Sequence, residues 1–155
     1  MQNSKSTEPP PDTPSVELSV RGVRGVAWGP VEKGWPGIVF YAPHDGGDVL
    51  NATWTLRGSK EVGDGRATRL PEPHTPPIAG AYDIQYRLGG CDVGRFRLEI
   101  ANEAGTRYRL RWLQPIANGA LTLEGTGEWI ESKRLLVAAW AKPGMPVHIA
   151  YTITG

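Results

Sequence analysis

From Tyr82 onward, apolar and polar residues alternate in short runs. Tyr82, Ile84, Tyr86 and Leu88 share one parity, and Asp83, Gln85 and Arg87 the other. Phe96, Leu98 and Ile100 alternate with Arg95, Arg97 and Glu99, and Tyr108, Leu110 and Trp112 alternate with Arg107, Arg109 and Arg111. Leu121 and Leu123 flank Thr122, and Val147, Ile149, Tyr151 and Ile153 interleave with His148, Ala150, Thr152 and Thr154. A period of two puts successive side chains on opposite faces, so each run predicts a half-buried strand. Leu135 to Trp140 (LLVAAW) is apolar on both parities and predicts a strand covered on both sides. Gly89-Gly90, Asn102 to Gly105, Asn118-Gly119 and Pro143-Gly144 fall between the runs and supply turn chemistry.

Upstream the pattern is weaker. Leu50, Ala52, Trp54 and Leu56 oppose Asn51, Thr53 and Thr55, which predicts a strand. Gly37 to Ala42 is a short apolar run, Val16, Leu18 and Val20 begin another, and Gly63 to Leu70 is strand-like but polar. No segment carries a helical period of convincing length. Successive strands lie too close in sequence for parallel crossovers, so the sheet is expected to be antiparallel. The fold class is therefore all-β: a single antiparallel up-and-down barrel of about eight to ten strands.

Polar, Pro-rich residues 1–14 lack apolar side chains to bury and are expected to be a disordered tail. Residues 15–155 form the single barrel domain, with N-terminal strands in 15–70 and the main meander in 80–155. Leu70 to Ala79 (LPEPHTPPIA) carries four prolines and reads as an extended connector between them. Two segments resemble each other: Val26-Ala27-Trp28 leads to Tyr41, and Ala138-Ala139-Trp140 leads to Tyr151. The first copy continues into the Trp54 strand, whereas the second ends at Gly155. A bare sheet edge invites aggregation. Pairing of the 48–57 and 63–70 strands with Val147 to Thr154 would close the barrel, as a circular permutation of one unit or by strand exchange in a homodimer.

Composition sharpens this in a few places. Gly (20) and Pro (14) among 155 residues argue against a helix bundle. Lys+Arg (17) nearly balances Asp+Glu (16), so charge provides no strong nucleic-acid signal and no membrane signal. The single cysteine, Cys91, has no internal disulfide partner, and residues 1–14 lack the apolar core of a signal peptide. A cytoplasmic, soluble protein is expected.

The order G-x-Y, G-x-F-x-L-x-I, Gly turn, Y-x-L-x-W, G-x-G and V-A-x-W stands at Gly80 to Tyr82, Gly94 to Ile100, Gly105, Tyr108 to Trp112, Gly125 to Gly127 and Val137 to Trp140. This resembles small antiparallel barrels of the calycin type, the avidins and lipocalins among them, and bacterial proteins with the same rhythm. The resemblance implies a binding barrel and leaves the ligand open, because no ligand-contacting motif of avidin or lipocalin type matches here.

Trp54, Tyr82, Tyr86, Phe96, Tyr108, Trp112 and Tyr151 fall on the buried parities. An eight-stranded barrel is just wide enough to be filled by side chains or to hold one small ligand. Trp54, Tyr82, Tyr86, Tyr108, Trp112 and Tyr151 are the candidate ligand-binding residues. Arg95, Arg97, Arg107, Arg109 and Arg111 lie on the outward parity, and a turn at Asn102 to Gly105 would set Arg97 near Arg109 and Arg95 near Arg111. An anionic partner would relieve that like-charge opposition; a solvated face with interspersed acids is the plainer alternative. His44, His74 and His148 are scattered, and no metal-ligand spacing or nucleophile motif occurs, so neither metal nor cofactor nor catalytic residue is assigned. Glu124 and Glu128 share a strand face as a pair of acids or as solvated charges. The expected function is non-catalytic binding of a small apolar or sugar-like ligand inside the barrel, or of a partner on its face. The alternatives are a small isomerase or hydrolase, and a structural or oligomerising module.

Overall fold

A computed structural model describes residues 9–29, 32 and 34–154. Its strands are Ser15–Val20 (β1), Val23–Trp28 (β2), Gly37–His44 (β3), Val49–Leu56 (β4), Gly63–Arg69 (β5), Gly80–Leu88 (β6), Cys91–Ala104 (β7), Arg107–Leu113 (β8), Leu121–Ile130 (β9), Leu135–Ala141 (β10) and His148–Ile153 (β11). Only a one-turn 3-10 helix, Asp45–Gly47, interrupts this all-β chain among the described residues. Residues 1–8 of the expected tail lie outside the described residues; further on, the Thr13 amide donates to the Pro10 carbonyl in a turn that enters β1.

Strands β3 to β10 run antiparallel in sequence order and close into an eight-stranded up-and-down barrel. Closure is made within one chain, where Leu136–Trp140 of β10 pair with Tyr41–Gly37 of β3. The barrel interior holds the parities expected from the alternation: Leu50, Ala52 and Trp54, Tyr82 and Ile84, Leu98 and Ile100, Tyr108, Leu110 and Trp112. Trp129, Leu136, Ala138, Val39, Tyr41, Ala67 and Ile78 complete its buried set.

The expected closure by the C-terminal strand is corrected. β11 pairs with β2, not with β4, and β1-β2-β11 form a separate three-stranded sheet outside the barrel. The physical reason lies in β3 and β10. Their inward residues pack in the barrel, while Ile38, Phe40, Leu135, Val137 and Ala139 point outward and are fully or almost fully buried. Those outward faces need a cover, and Val16, Leu18, Val23, Ala27, Ile149 and Tyr151 provide it. The two segments with similar sequence therefore occupy different settings: β2 is in the cover and β10 in the barrel wall, while Tyr41 is interior and Tyr151 is not. The barrel strands follow one another without permutation, and closure needs no second chain.

The connector is also more than a spacer. Ile78 is fully buried at one end of the barrel, where the Tyr82 hydroxyl donates to its carbonyl at 2.8 Å. Thr75 and Ala79 exchange backbone hydrogen bonds of 3.0 Å, which fold the Pro-rich segment into a plug. That end, with the turns around 45–48, 105–106 and 131–134, is shut. The opposite end carries the 57–62 loop, the Gly89-Gly90 turn, the 114–120 loop and the 142–147 segment.

Candidate functional site

Six of the eight barrel strands contribute inward residues at the second end, while β3 and β5 reach it with Gly37 and Gly63. Together Trp54 and Leu56 (β4), Tyr86 and Leu88 (β6), Val93, Gly94 and Phe96 (β7), Trp112 (β8), Leu123 (β9) and Trp140 (β10) wall a cavity of about 330 Å³. This lies at the lower end of the range of about 300–1,000 Å³ typical of small-molecule sites. Among the described residues no carboxylate, imidazole, thiol or cationic side chain lines it.

The rings are held by mutual contact and by glycines. Trp140 lies 6.4 Å from Trp54 and 6.3 Å from Trp112, ring centre to ring centre, and Trp54 meets Tyr86 edge-on at 5.9 Å. Tyr86 in turn lies 6.0 Å from Phe96. Such tilted and edge-to-face pairs suit the ring quadrupole. Trp140 lies across Gly37 of the neighbouring strand, where a Cβ would stand 2.2 Å from Trp140 carbons. Trp54 lies across Gly63 in the same way, with 2.4 Å left for a Cβ. Two positions without side chains thus let indoles lie flat against the wall. From outside, Trp35 meets Trp140 edge-on at 5.7 Å, and the Trp35 carbonyl accepts a hydrogen bond from Arg57 Nε.

Beside the cavity the interior contains a polar group of three. The Trp112 indole N–H donates to the Tyr86 hydroxyl at 2.7 Å, and the Tyr86 and Tyr41 hydroxyl oxygens are 2.5 Å apart. Burial pushes both phenols well above the ordinary 10.0, and for Tyr41 the neighbouring Tyr86 adds to the rise. Both are therefore neutral at physiological pH. The Trp54 indole N–H is taken by the Asp64 carbonyl at 2.9 Å.

Of the six residues expected to bind a ligand, Trp54, Tyr86 and Trp112 meet at the cavity. Tyr82 and Tyr108 are interior but sit toward the plugged end, where Tyr82 is bonded to Ile78. Tyr151 is a correction: it is half-buried on β11 against the outer wall of the barrel, since β11 belongs to the cover. Trp140 lines the cavity and Tyr41 stands behind it against the Tyr86 hydroxyl; neither is among the six expected residues. Their strands are apolar on both parities, which hides the inward set; Trp140 nevertheless shares a parity with Leu136 and Ala138.

The arginine face is built differently from the expectation. The β7–β8 hairpin turns at Gly105-Thr106, beyond Asn102, so Arg111 stands opposite Glu99 and Arg109 opposite Ala101. Arg97 and Arg109 are not cross-strand partners, nor are Arg95 and Arg111, which removes the like-charge opposition. Each of the five arginines meets a carboxylate: Arg95 with Asp83, Arg97 with Glu72 and Glu99, Arg107 with Glu128, Arg109 with Glu124 and Arg111 with Glu99. Hydrogen bonding to Arg95 holds the Asp83 carboxyl below its ordinary range, and Arg97 does the same for Glu72. Glu128 is buried, accepting from Thr106 Oγ1 at 2.9 Å and Arg107 Nε at 3.2 Å, while Glu124 accepts from the Gly144 amide at 2.9 Å. The two acids are thus separately engaged.

His44 and His74 lie toward the plugged end, while His148 stacks on Trp28 in the outer sheet at 5.4 Å. Among the described residues no group of three or more His, Cys, Asp or Glu side chains is placed to hold a metal ion. Cys91 is exposed at the start of β7. Among the described residues no helix is long and apolar enough to cross a membrane. Compared with known protein families, curated proteins and solved structures, the chain matches none.

Proposed function

We propose that the barrel is a non-catalytic binding domain that takes one small apolar ligand into its open end. The observation that carries this reading is the cavity of about 330 Å³ walled by Trp54, Tyr86, Phe96, Trp112, Trp140 and aliphatic side chains. Apolar surface left to water in a concave site is stabilised by a ligand that covers it. Among the described residues the lining lacks the carboxylates and amides that fix sugar hydroxyls, which favours an apolar ligand over a sugar-like one. It also lacks any group suited to general-base or nucleophilic work other than a neutral phenol, which favours binding over catalysis. A ligand held inside an up-and-down barrel is what the resemblance to calycin-type barrels implies as well. On the arginine face the paired carboxylates leave less reason for an anionic partner.

Titration with naphthalene, followed by tryptophan emission, tests the reading. A saturable, one-site change is expected in the wild type. Leu123→Phe, which fills part of the cavity, is expected to weaken binding at least tenfold with little loss of stability. A wild type that shows no saturable response refutes the proposal in favour of a structural module.

A further inference from the structure

We propose that the ligand is an uncharged, largely apolar molecule with one hydrogen-bond acceptor, of ketone, ester or ether type, that accepts the Tyr86 hydroxyl proton. This rests on the cavity being a binding site and adds what the site selects.

The inference comes from counting protons. Trp112, Tyr86 and Tyr41 hold three donor protons but make two hydrogen bonds with one another. Trp112 can only donate; its N–H goes to the Tyr86 oxygen at 2.7 Å, with the Tyr41 oxygen near enough to share it, and in neither case does it take up a hydroxyl proton. The Tyr41–Tyr86 contact uses one of the two hydroxyl protons, and the other has no acceptor among the described residues. If Tyr86 donated, the leftover proton would sit on Tyr41, which is fully buried and does not line the cavity. An unsatisfied donor in that position is costly. If Tyr41 donates, the leftover proton sits on Tyr86, which does line the cavity. Tyr86 then accepts two hydrogen bonds, which polarise its own O–H and make it a better donor.

The remaining polar groups agree. The Trp54 N–H is already committed to Asp64, whereas the Trp140 N–H has no hydrogen-bond partner among the described residues. Among the described lining side chains the Tyr86 O–H is thus the hydroxyl donor without a protein acceptor, and the Tyr86 oxygen, the one side-chain acceptor, is already filled. Among the described residues no cation faces the cavity, so a carboxylate or phosphate would be stripped of water without compensation from them.

The experiment compares 2-acetylnaphthalene, the shape-matched hydrocarbon 2-isopropenylnaphthalene and 2-naphthoate, using tryptophan emission on the full chain. The ketone is expected to bind about tenfold more tightly than the hydrocarbon, equivalent to 1.4 kcal/mol, and the naphthoate more weakly than either. In Tyr86→Phe the ketone is expected to fall to the level of the hydrocarbon, whose own affinity stays within about twofold. In Tyr41→Phe, which leaves the Tyr86 proton in place, the preference for the ketone is expected to persist. Equal binding of ketone and hydrocarbon by the wild type overturns the Tyr86 donor while leaving the binding site intact. A ketone preference that survives Tyr86→Phe, or that is lost in a folded Tyr41→Phe, overturns the assignment to Tyr86. Tightest binding of naphthoate overturns the neutral class. If none of the three binds, both this inference and the proposed function fail. Should Tyr86→Phe not fold, the wild-type comparison and Tyr41→Phe still decide the matter.

Discussion

Replacing Ile78 by Ala tests whether the Pro-rich segment is a plug or a tether. Ile78 is 0% exposed and projects into the shut end of the barrel. The substitution removes three carbons, worth about 2.4 kcal/mol at about 0.8 kcal/mol for each buried CH2. The void left behind adds to this, because the segment cannot settle inward freely. Its carbonyl is held by the Tyr82 hydroxyl at 2.8 Å, and the bonds between Thr75 and Ala79 brace it on either side. A total of about 3–4 kcal/mol is expected, inside the range of about 2–5 kcal/mol seen for Ile-to-Ala changes in cores. Ile116→Ala is the matched control at the other end of the barrel: the same atoms are removed from a side chain that is 66% exposed, and a change within about 0.5 kcal/mol is expected. Urea unfolding followed by tryptophan emission measures both, the shift in midpoint at unchanged slope giving the difference in stability. A cost below about 1 kcal/mol for Ile78→Ala, or one equal to that of Ile116→Ala, would show that the connector merely links two halves of the sheet.

Three further outcomes follow from the same structure. Leu110→Ala, inside the barrel, is expected to cost about 2–5 kcal/mol, and Arg109→Ala, on the solvent face beside Glu124, under about 1 kcal/mol; the reverse order in urea midpoints would invert the assignment of faces. Gly63→Ala puts a methyl group 2.4 Å from Trp54, so it is expected to destabilise by more than about 1 kcal/mol and to shift tryptophan emission, whereas an unchanged spectrum and midpoint would mean that Trp54 does not lie on β5. Alkaline stability carries a definite sign. The Tyr41 and Tyr86 phenols are raised above the ordinary 10.0, so their contribution is intact below pH 10 and is lost as the pH climbs above it, where the unfolded chain releases protons that the folded chain keeps. Tyr41→Phe is expected to flatten that loss, and identical alkaline profiles for the variant and the wild type would refute the linkage.

Much of the barrel wall was legible in the chain. From Tyr82 to Leu123, and again from Leu50 to Leu56, one parity is apolar and the other polar, because each strand there has one face in the barrel and one in water. A strict period of two leaves little freedom in which residues turn inward, and Trp54, Tyr86 and Trp112 could be placed inside without knowing their neighbours. The turn glycines and asparagines further required that neighbours in sequence be neighbours in the sheet, which is the meander observed.

What the alternation leaves open is which strands meet at a distance, and here tertiary structure decided. β3 and β10 are apolar on both faces, so periodicity cannot say that Tyr41 and Trp140 turn inward while Phe40 and Val137 turn out. Their outer faces call for a second layer, and β11, correctly phased for burial, serves that layer instead of the barrel. The same lack of long-range information hid the plug, since Ile78 is one apolar residue among prolines with no periodic neighbours. It also hid the Tyr41–Tyr86–Trp112 contact, which joins three strands far apart in sequence. Local pattern determined the direction in which most side chains point; the closure of eight strands into a ring, and the burial it demands of β3 and β10, determined what they point at.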